Sequence, residues 1–111
     1  MSTTPPLQEL ATKYFHTKGY KIEPNITLDG ASGIFQKFDL LITKTNEQRV
    51  VKVLDWKRTV GVNIVINFDK ASEDVDLKKP IMISEKFSSH AKAYANRKGM
   101  MLLTRRELSK F

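Results

Sequence analysis

Two segments decide how this chain is read: Phe35-Gln36-Lys37-Phe38-Asp39-Leu40-Leu41-Ile42-Thr43 and Arg49-Val50-Val51-Lys52-Val53-Leu54-Asp55-Trp56. Both are rich in β-branched and aromatic residues, which fit a pleated, half-buried surface. The polar stretch Lys44-Thr45-Asn46-Glu47-Gln48 between them is short enough to join antiparallel neighbours. The apolar run of each strand is interrupted by a charge, Asp39 in the first and Lys52 in the second. Asp39 lies within Phe38-Asp39-Leu40-Leu41-Ile42, where burying a carboxylate costs several kcal/mol unless it is paired, hydrogen-bonded or holding a metal. Two simple fates are open to it: pairing with a lysine, or capping a backbone amide. Lys52 poses the same problem inside Val50-Val51-Lys52-Val53-Leu54. Strand side chains alternate, so Lys52 and Leu54 share one face while Val53, Asp55 and Lys57 share the other. If Asp39 faces Lys52 across the hairpin, the two form a buried ion pair.

Working outward, Pro5-Pro6 precedes Leu7, Leu10, Ala11, Tyr14 and Phe15 at helical spacing, which predicts a helix to about Lys18 that stops at Gly19. Tyr20 to Glu23 alternates as a short strand before Pro24, and Thr27 to Gly33 is turn chemistry. Beyond Trp56, the residues Ile64, Val65, Phe68 and Ala71 recur at helical spacing. Asp76 to Lys79 reads as a loop, and Ile81-Met82-Ile83 as a buried strand. A helix carrying Ala91, Tyr94 and Ala95 starts at one of several serine caps and ends at Gly99. Met100 to Leu103 is a second buried strand, and Thr104 with Glu107 three residues on forms a capping box for a last short helix. The order α-β-β-β-α-β-α-β-α predicts an α/β fold with a central mixed sheet, antiparallel in the hairpin and parallel in the second half, flanked by helices.

The 111 residues allow one domain, residues 1–111. Nineteen Lys and Arg against twelve Asp and Glu give a formal charge of +7, so the surface carries a potential that favours polyanions, nucleic acid first among them. The absence of Cys excludes a disulfide framework, thiol catalysis and thiolate zinc, and two well-separated His, His16 and His90, read as structural or surface residues. No apolar run approaches the roughly 20 residues that span a bilayer, so a cytoplasmic protein without a membrane partner is expected.

The joint order of elements and short motifs resembles the restriction endonuclease-like family with the PD-(D/E)xK motif, most closely its Mrr-type and archaeal members. In that family a Gly-x-Ser-Gly turn and a Phe-Asp-Leu strand precede a hydrophobic strand with Glu-x-Lys and often a nearby Trp. Here Gly30-Ala31-Ser32-Gly33, Phe38-Asp39-Leu40, Val50 to Arg58 and Val60-Gly61-Val62 follow that layout. The second half is similar too, in Phe87-Ser88-Ser89-His90-Ala91 with Tyr94-Ala95 and in Gly99 to Leu103.

The resemblance implies that Asp39 is the first ligand of Mg²⁺, which would generate a hydroxide and neutralise charge on the phosphate. It places an assisting helix-one acid at Glu9, the second metal ligand at Lys52 and the family lysine at Leu54. A lysine in a ligand position brings a positive charge to about 4 Å from the metal, a repulsion on the order of 4 kcal/mol even at an effective dielectric of about 20. The Lys52 ammonium is then expected to take the cation's place beside Asp39, with no cofactor needed. An alternative register uses Asp55-Trp56-Lys57, an acid-x-Lys triplet that a β-bulge could carry to the active face.

For phosphate contact the candidates are Lys37, Lys57, Arg58, Ser88, Lys92, Arg97 and Lys98. Trp56 is expected to be a packed aromatic at the strand end. Three functions follow: a nucleic-acid-binding module with a degenerate, non-catalytic motif; a Mg²⁺-dependent DNA endonuclease with a rearranged site built on Glu9, Asp39 and Lys52 or Asp55 with Lys57; or an assembly subunit that binds a partner protein. Family members also dimerise, so a homodimer is a further possibility for partners.

Overall fold

A computed structural model describes residues 5–110. Nine elements follow one another: α1 (Leu7–Thr17), β1 (Lys21–Asp29), β2 (Phe35–Lys44), β3 (Glu47–Leu54), α2 (Val62–Asp74), β4 (Ile81–Ser84), α3 (Ser89–Lys98), β5 (Met101–Thr104) and α4 (Arg105–Leu108). The sheet order is β1-β2-β3-β4-β5. β1, β2 and β3 pair antiparallel, whereas β3, β4 and β5 pair parallel, so the sheet is mixed as the sequence predicts.

Local chemistry sets the boundaries. The Ser88 hydroxyl accepts from the Ala91 amide at 3.1 Å to start α3, and Gly99 at φ 74° ends it in the left-handed conformation that glycine adopts at least cost. Thr104 and Glu107 form the capping box expected of them. Several boundaries differ from the sequence reading, β3 among them, which ends at Leu54 and not at Trp56. β1 runs on through Pro24 to Asp29, because it is an edge strand and a residue without an N–H is tolerated where the outer side meets water. The turn after it is correspondingly shorter, closed by Gly30 N–H donating to Ile34 O at 2.9 Å. The β2–β3 loop also shrinks, since the strands reach Lys44 and Glu47 and Thr45 takes φ 56° to turn the chain.

The core has two halves, one on each side of the sheet. On one side Leu41, Val50 and Met82 pack with Val65 and Phe68 of α2 and Ala91 and Ala95 of α3. On the other, Leu40, Ile42, Val51, Ile81 and Ile83 pack with Leu7, Ala11 and Phe15 of α1 and Leu108 of α4. No helix among the described residues is long and apolar enough to cross a membrane.

The hairpin departs from simple alternation at one place. Ile22 and Leu40 belong to the α1 side, yet Ile26 and Phe38 belong to the α2 side, although residues an even number apart on a strand ordinarily point the same way. Both strands change face across Asn25 and Asp39, which fall out of an otherwise continuous ladder between Pro24↔Leu40 and Ile26↔Phe38. Asn25 adopts φ 50°, a left-handed conformation that Asn reaches more easily than most residues. The β2–β3 ladder also ends at this level, at Leu40↔Val51. The break in the sheet is therefore centred on Asp39.

Candidate functional site

Beyond Leu40 and Val51, β2 and β3 no longer exchange backbone hydrogen bonds, and the side chain of Asp39 fills the gap. Its Oδ2 accepts from the Val53 N–H at 2.6 Å. Of the two fates open to this carboxylate, capping a backbone amide is the one observed. Around it lies an open cleft of about 250 Å³ lined by Asn25, Thr27, Lys37, Phe38, Asp39 and Lys52, with Ile26 at its wall. Lys52 reaches it from β3, where it stands opposite Met82 of β4. Asp39 and Lys52 are both half-buried.

The expected ion pair between Asp39 and Lys52 is not formed: no contact within 4.0 Å joins them. Neither Lys37 nor Lys52 has an ion-pair or hydrogen-bond partner among the described residues. Two lysines and one aspartate thus line the cleft, a net positive set of residues.

Asp55 has a different environment. Its Oδ2 accepts from the Leu7 N–H at 2.9 Å, which satisfies one of the orphan donors at the start of α1. Its Oδ1 pairs with Arg105 Nη2 at 3.1 Å, and Arg105 also donates from Nε to Glu85 at 2.5 Å and from Nη1 to Pro5 O at 2.6 Å. This knot ties the ends of β3 and β4 to the starts of α1 and α4. A cleft of about 660 Å³ beside it is lined by Asp55, Glu85, Arg105 and Lys57. The alternative register therefore has its acid on the α1 side, away from Asp39. Glu9 is exposed on α1 and lines neither cleft.

The phosphate candidates fall into groups. Lys37 lines the Asp39 cleft. Lys57, Arg58 and Ser88 gather at the carboxyl end of the parallel strands, where Val60 bridges Phe87 and Ser88 N–H donates to Val60 O at 3.0 Å. Arg58 lies 4.1 Å from the centroid of the Trp56 ring, so that face of the indole is already covered, and Trp56 packs against the core as expected. Lys92 is exposed on α3. Arg97 and Lys98 close α3, at the opposite end of that helix from Ser88. Lys98 pairs with Asp69 at 3.7 Å and Glu73 at 3.6 Å, and Arg97 sits 5.8 Å from the Tyr94 ring. Tyr94 donates to the same Asp69 at 2.7 Å, and burial together with that bond pushes its hydroxyl up to about 12. Tyr94 and Lys98 thus tie α3 to Asp69 and Glu73 of α2. His16 and His90 are exposed.

The sequence matches the family model described as "Restriction endonuclease" (Mrr_cat) over residues 3–111. The chain belongs to the restriction endonuclease family. No curated protein matches it in sequence. Among solved structures it is similar to one described as "Protein of Unknown Function AF1548", with a TM-score of 0.80 and 16% identity over 87% of this chain and 55% of that one. A second, "protein VC1899 from Vibrio cholerae", gives a TM-score of 0.65 and 10% identity over 94% of this chain and 30% of that one. The chain thus spans about half of the first and under a third of the second, and at these identities the likeness concerns the fold.

Nucleases of this family are typically Mg²⁺-dependent, and the donor set here does not fit that ion. Mg²⁺ is held through carboxylate and other oxygen ligands in octahedral geometry. The Asp39 cleft supplies a single carboxylate, one oxygen of which is taken by the Val53 amide, together with two lysines. Among the described residues no group of three or more His, Asp or Glu is placed to hold a metal.

What sequence reasoning missed is the break in the hairpin. Neither Asn25 nor Thr27 was a candidate, since both stood in or near a supposed turn. The left-handed Asn25 just after Pro24, on an edge strand, was the available signal.

Proposed function

We propose that this restriction endonuclease-like domain binds nucleic acid without hydrolysing it, using the Asp39 cleft to hold backbone phosphate where catalytic relatives hold metal. The observation that carries this reading is that both Lys52 and Lys37 line a cleft that has one carboxylate. An ammonium at the second ligand position repels a divalent cation and attracts a phosphodiester. Lys57 and Arg58 at the carboxyl end of the parallel strands extend the positive surface, and the net charge of +7 favours a polyanion over an acidic small molecule. In this reading Asp39 is a positioning group that closes the end of the β3 ladder and orients the cleft.

The test is a labelled DNA incubated with the protein in Mg²⁺ or Mn²⁺ and, separately, titrated in EDTA. The expected result is salt-sensitive binding in EDTA and no cleavage with either metal. Cleavage that disappears in Asp39→Ala overturns the proposal.

A further inference from the structure

The far half of the β1–β2 hairpin, beyond the break at Asn25 and Asp39, has one covered face and one bare face. Ile26, Leu28 and Phe38 join the cluster beneath α2, where Phe38 meets Phe68 at a ring separation of 6.1 Å. Gln36 turns the same way and donates to Asp74 of α2 at 3.0 Å. By alternation, Thr27, Phe35 and Lys37 point to the opposite side. The register sets Thr27 across from Lys37 and Asp29 across from Phe35. α1 covers the other half of the hairpin and packs on Leu40 and Ile42, not here. Phe35 is left 69% exposed and Ile34 beside it 61%, the most exposed large apolar side chains among the described residues.

This exposed ring stands on a rigid support. Asp74 accepts from Ser32 N–H at 2.9 Å and Ser32 Oγ at 2.8 Å, and its carbonyl accepts from Ala31 N–H at 2.7 Å. Gly30 lies so close to the Asp74 carboxylate that a Cβ there would overlap it, so the tight fit requires glycine. The turn is therefore pre-organised, and holding the ring in place costs little entropy on binding.

Lys37 lies two residues from Phe35 on the same face, about 7 Å along the strand, and opens into the cleft that also holds Lys52. A free aromatic face followed by a cation is the pairing that a base and its adjoining phosphate require. In a duplex the base faces are already stacked on their neighbours, so such a ring can engage only an unpaired base. Asp29, opposite Phe35, repels phosphate from the ring and leaves it to the lysine end.

We infer that the bare face of the far hairpin binds single-stranded nucleic acid, with an unpaired base stacked on Phe35 and the adjoining phosphate on Lys37. This deepens, and rests on, the nucleic-acid reading above. It is tested by fluorescence anisotropy with a labelled oligothymidylate and with a labelled duplex, in EDTA at equal salt, using the full chain, Phe35→Ala and Lys37→Gln. The expected outcome is preference for the single strand, a loss of roughly tenfold or more for it in Phe35→Ala, and little change for the duplex. Lys37→Gln should lower the slope of log affinity against log salt by about 0.7. Preference for the duplex, or an unchanged single-strand affinity in Phe35→Ala, overturns this inference and leaves the broader reading standing. Binding to neither probe overturns both. Sedimentation showing that Phe35→Ala turns a dimer into a monomer also overturns it, because the ring would then face a second copy.

Discussion

Asp39 and Asp55 both sit near the open end of the β2–β3 hairpin, and their surroundings are opposite. Asp55 is the centre of a closed account: an α1 amide and the Arg105 guanidinium use both of its oxygens, and Arg105 goes on to Glu85 and Pro5 O. Asp39 uses one oxygen on the Val53 amide and faces a cleft with two unpaired lysines. A polar cluster whose groups satisfy one another holds the fold together, whereas one with surplus charge has capacity left for a ligand. The difference separates a structural joint from a candidate site more clearly than the residue types do, since either acid reads as a metal ligand in the sequence.

Breaking the two clusters should have different consequences. Arg105→Ala strands two carboxylates and a carbonyl at the junction of four elements, and should lower unfolding free energy by about 2–4 kcal/mol. Asp39→Ala removes one capping bond at a half-buried position and should cost about 1–2 kcal/mol. Chemical denaturation measures both, and equal losses would erase the distinction drawn between them. Nucleic-acid affinity per folded molecule should be unchanged in Arg105→Ala.

A smaller effect sharpens the picture of the hairpin tip. Hydrogen bonds from Gln36 and then Ser32 hold the Asp74 carboxyl below its ordinary value of 3.8. Because the folded state favours the ionised form, this contribution is present above the ordinary value and is lost as pH falls through the lowered one. Acid titration followed by the Ser32 amide resonance should show the turn loosening only below the ordinary value of 3.8. Asp74→Asn should remove that pH dependence, and a titration unchanged by the substitution would mean that another group controls the turn.

Most of the fold was legible because its signals are local. Alternating apolar runs marked β2 and β3, Gly99 and the Thr104–Glu107 box marked helix ends, and the motif order carried the family. The site was legible only as far as its residue types. Asp39 and Lys52 were found because charges stand out in apolar strands, and they do line one cleft. That they do not touch depends on the paired change of face at Asn25 and Asp39, a feature of two strands together that neither strand's pattern contains. Phe35 was likewise unreadable, because an aromatic in a strand is ordinarily core and only the absence of a helix over that face exposes it. The ion pairs of Lys98 were hidden for the converse reason: Asp69 and Glu73 of α2 come within its reach only when α2 packs on α3.

The central claim is that lysine has replaced metal in the Asp39 cleft, and calorimetric titration with Mn²⁺ tests it most directly. The wild-type chain should give no saturable heat at millimolar Mn²⁺, while the combined Lys52→Glu and Leu54→Lys substitutions, which restore the family pattern beside Asp39, should create a binding isotherm. Saturable Mn²⁺ binding by the wild-type chain that is lost in Asp39→Ala would contradict the account.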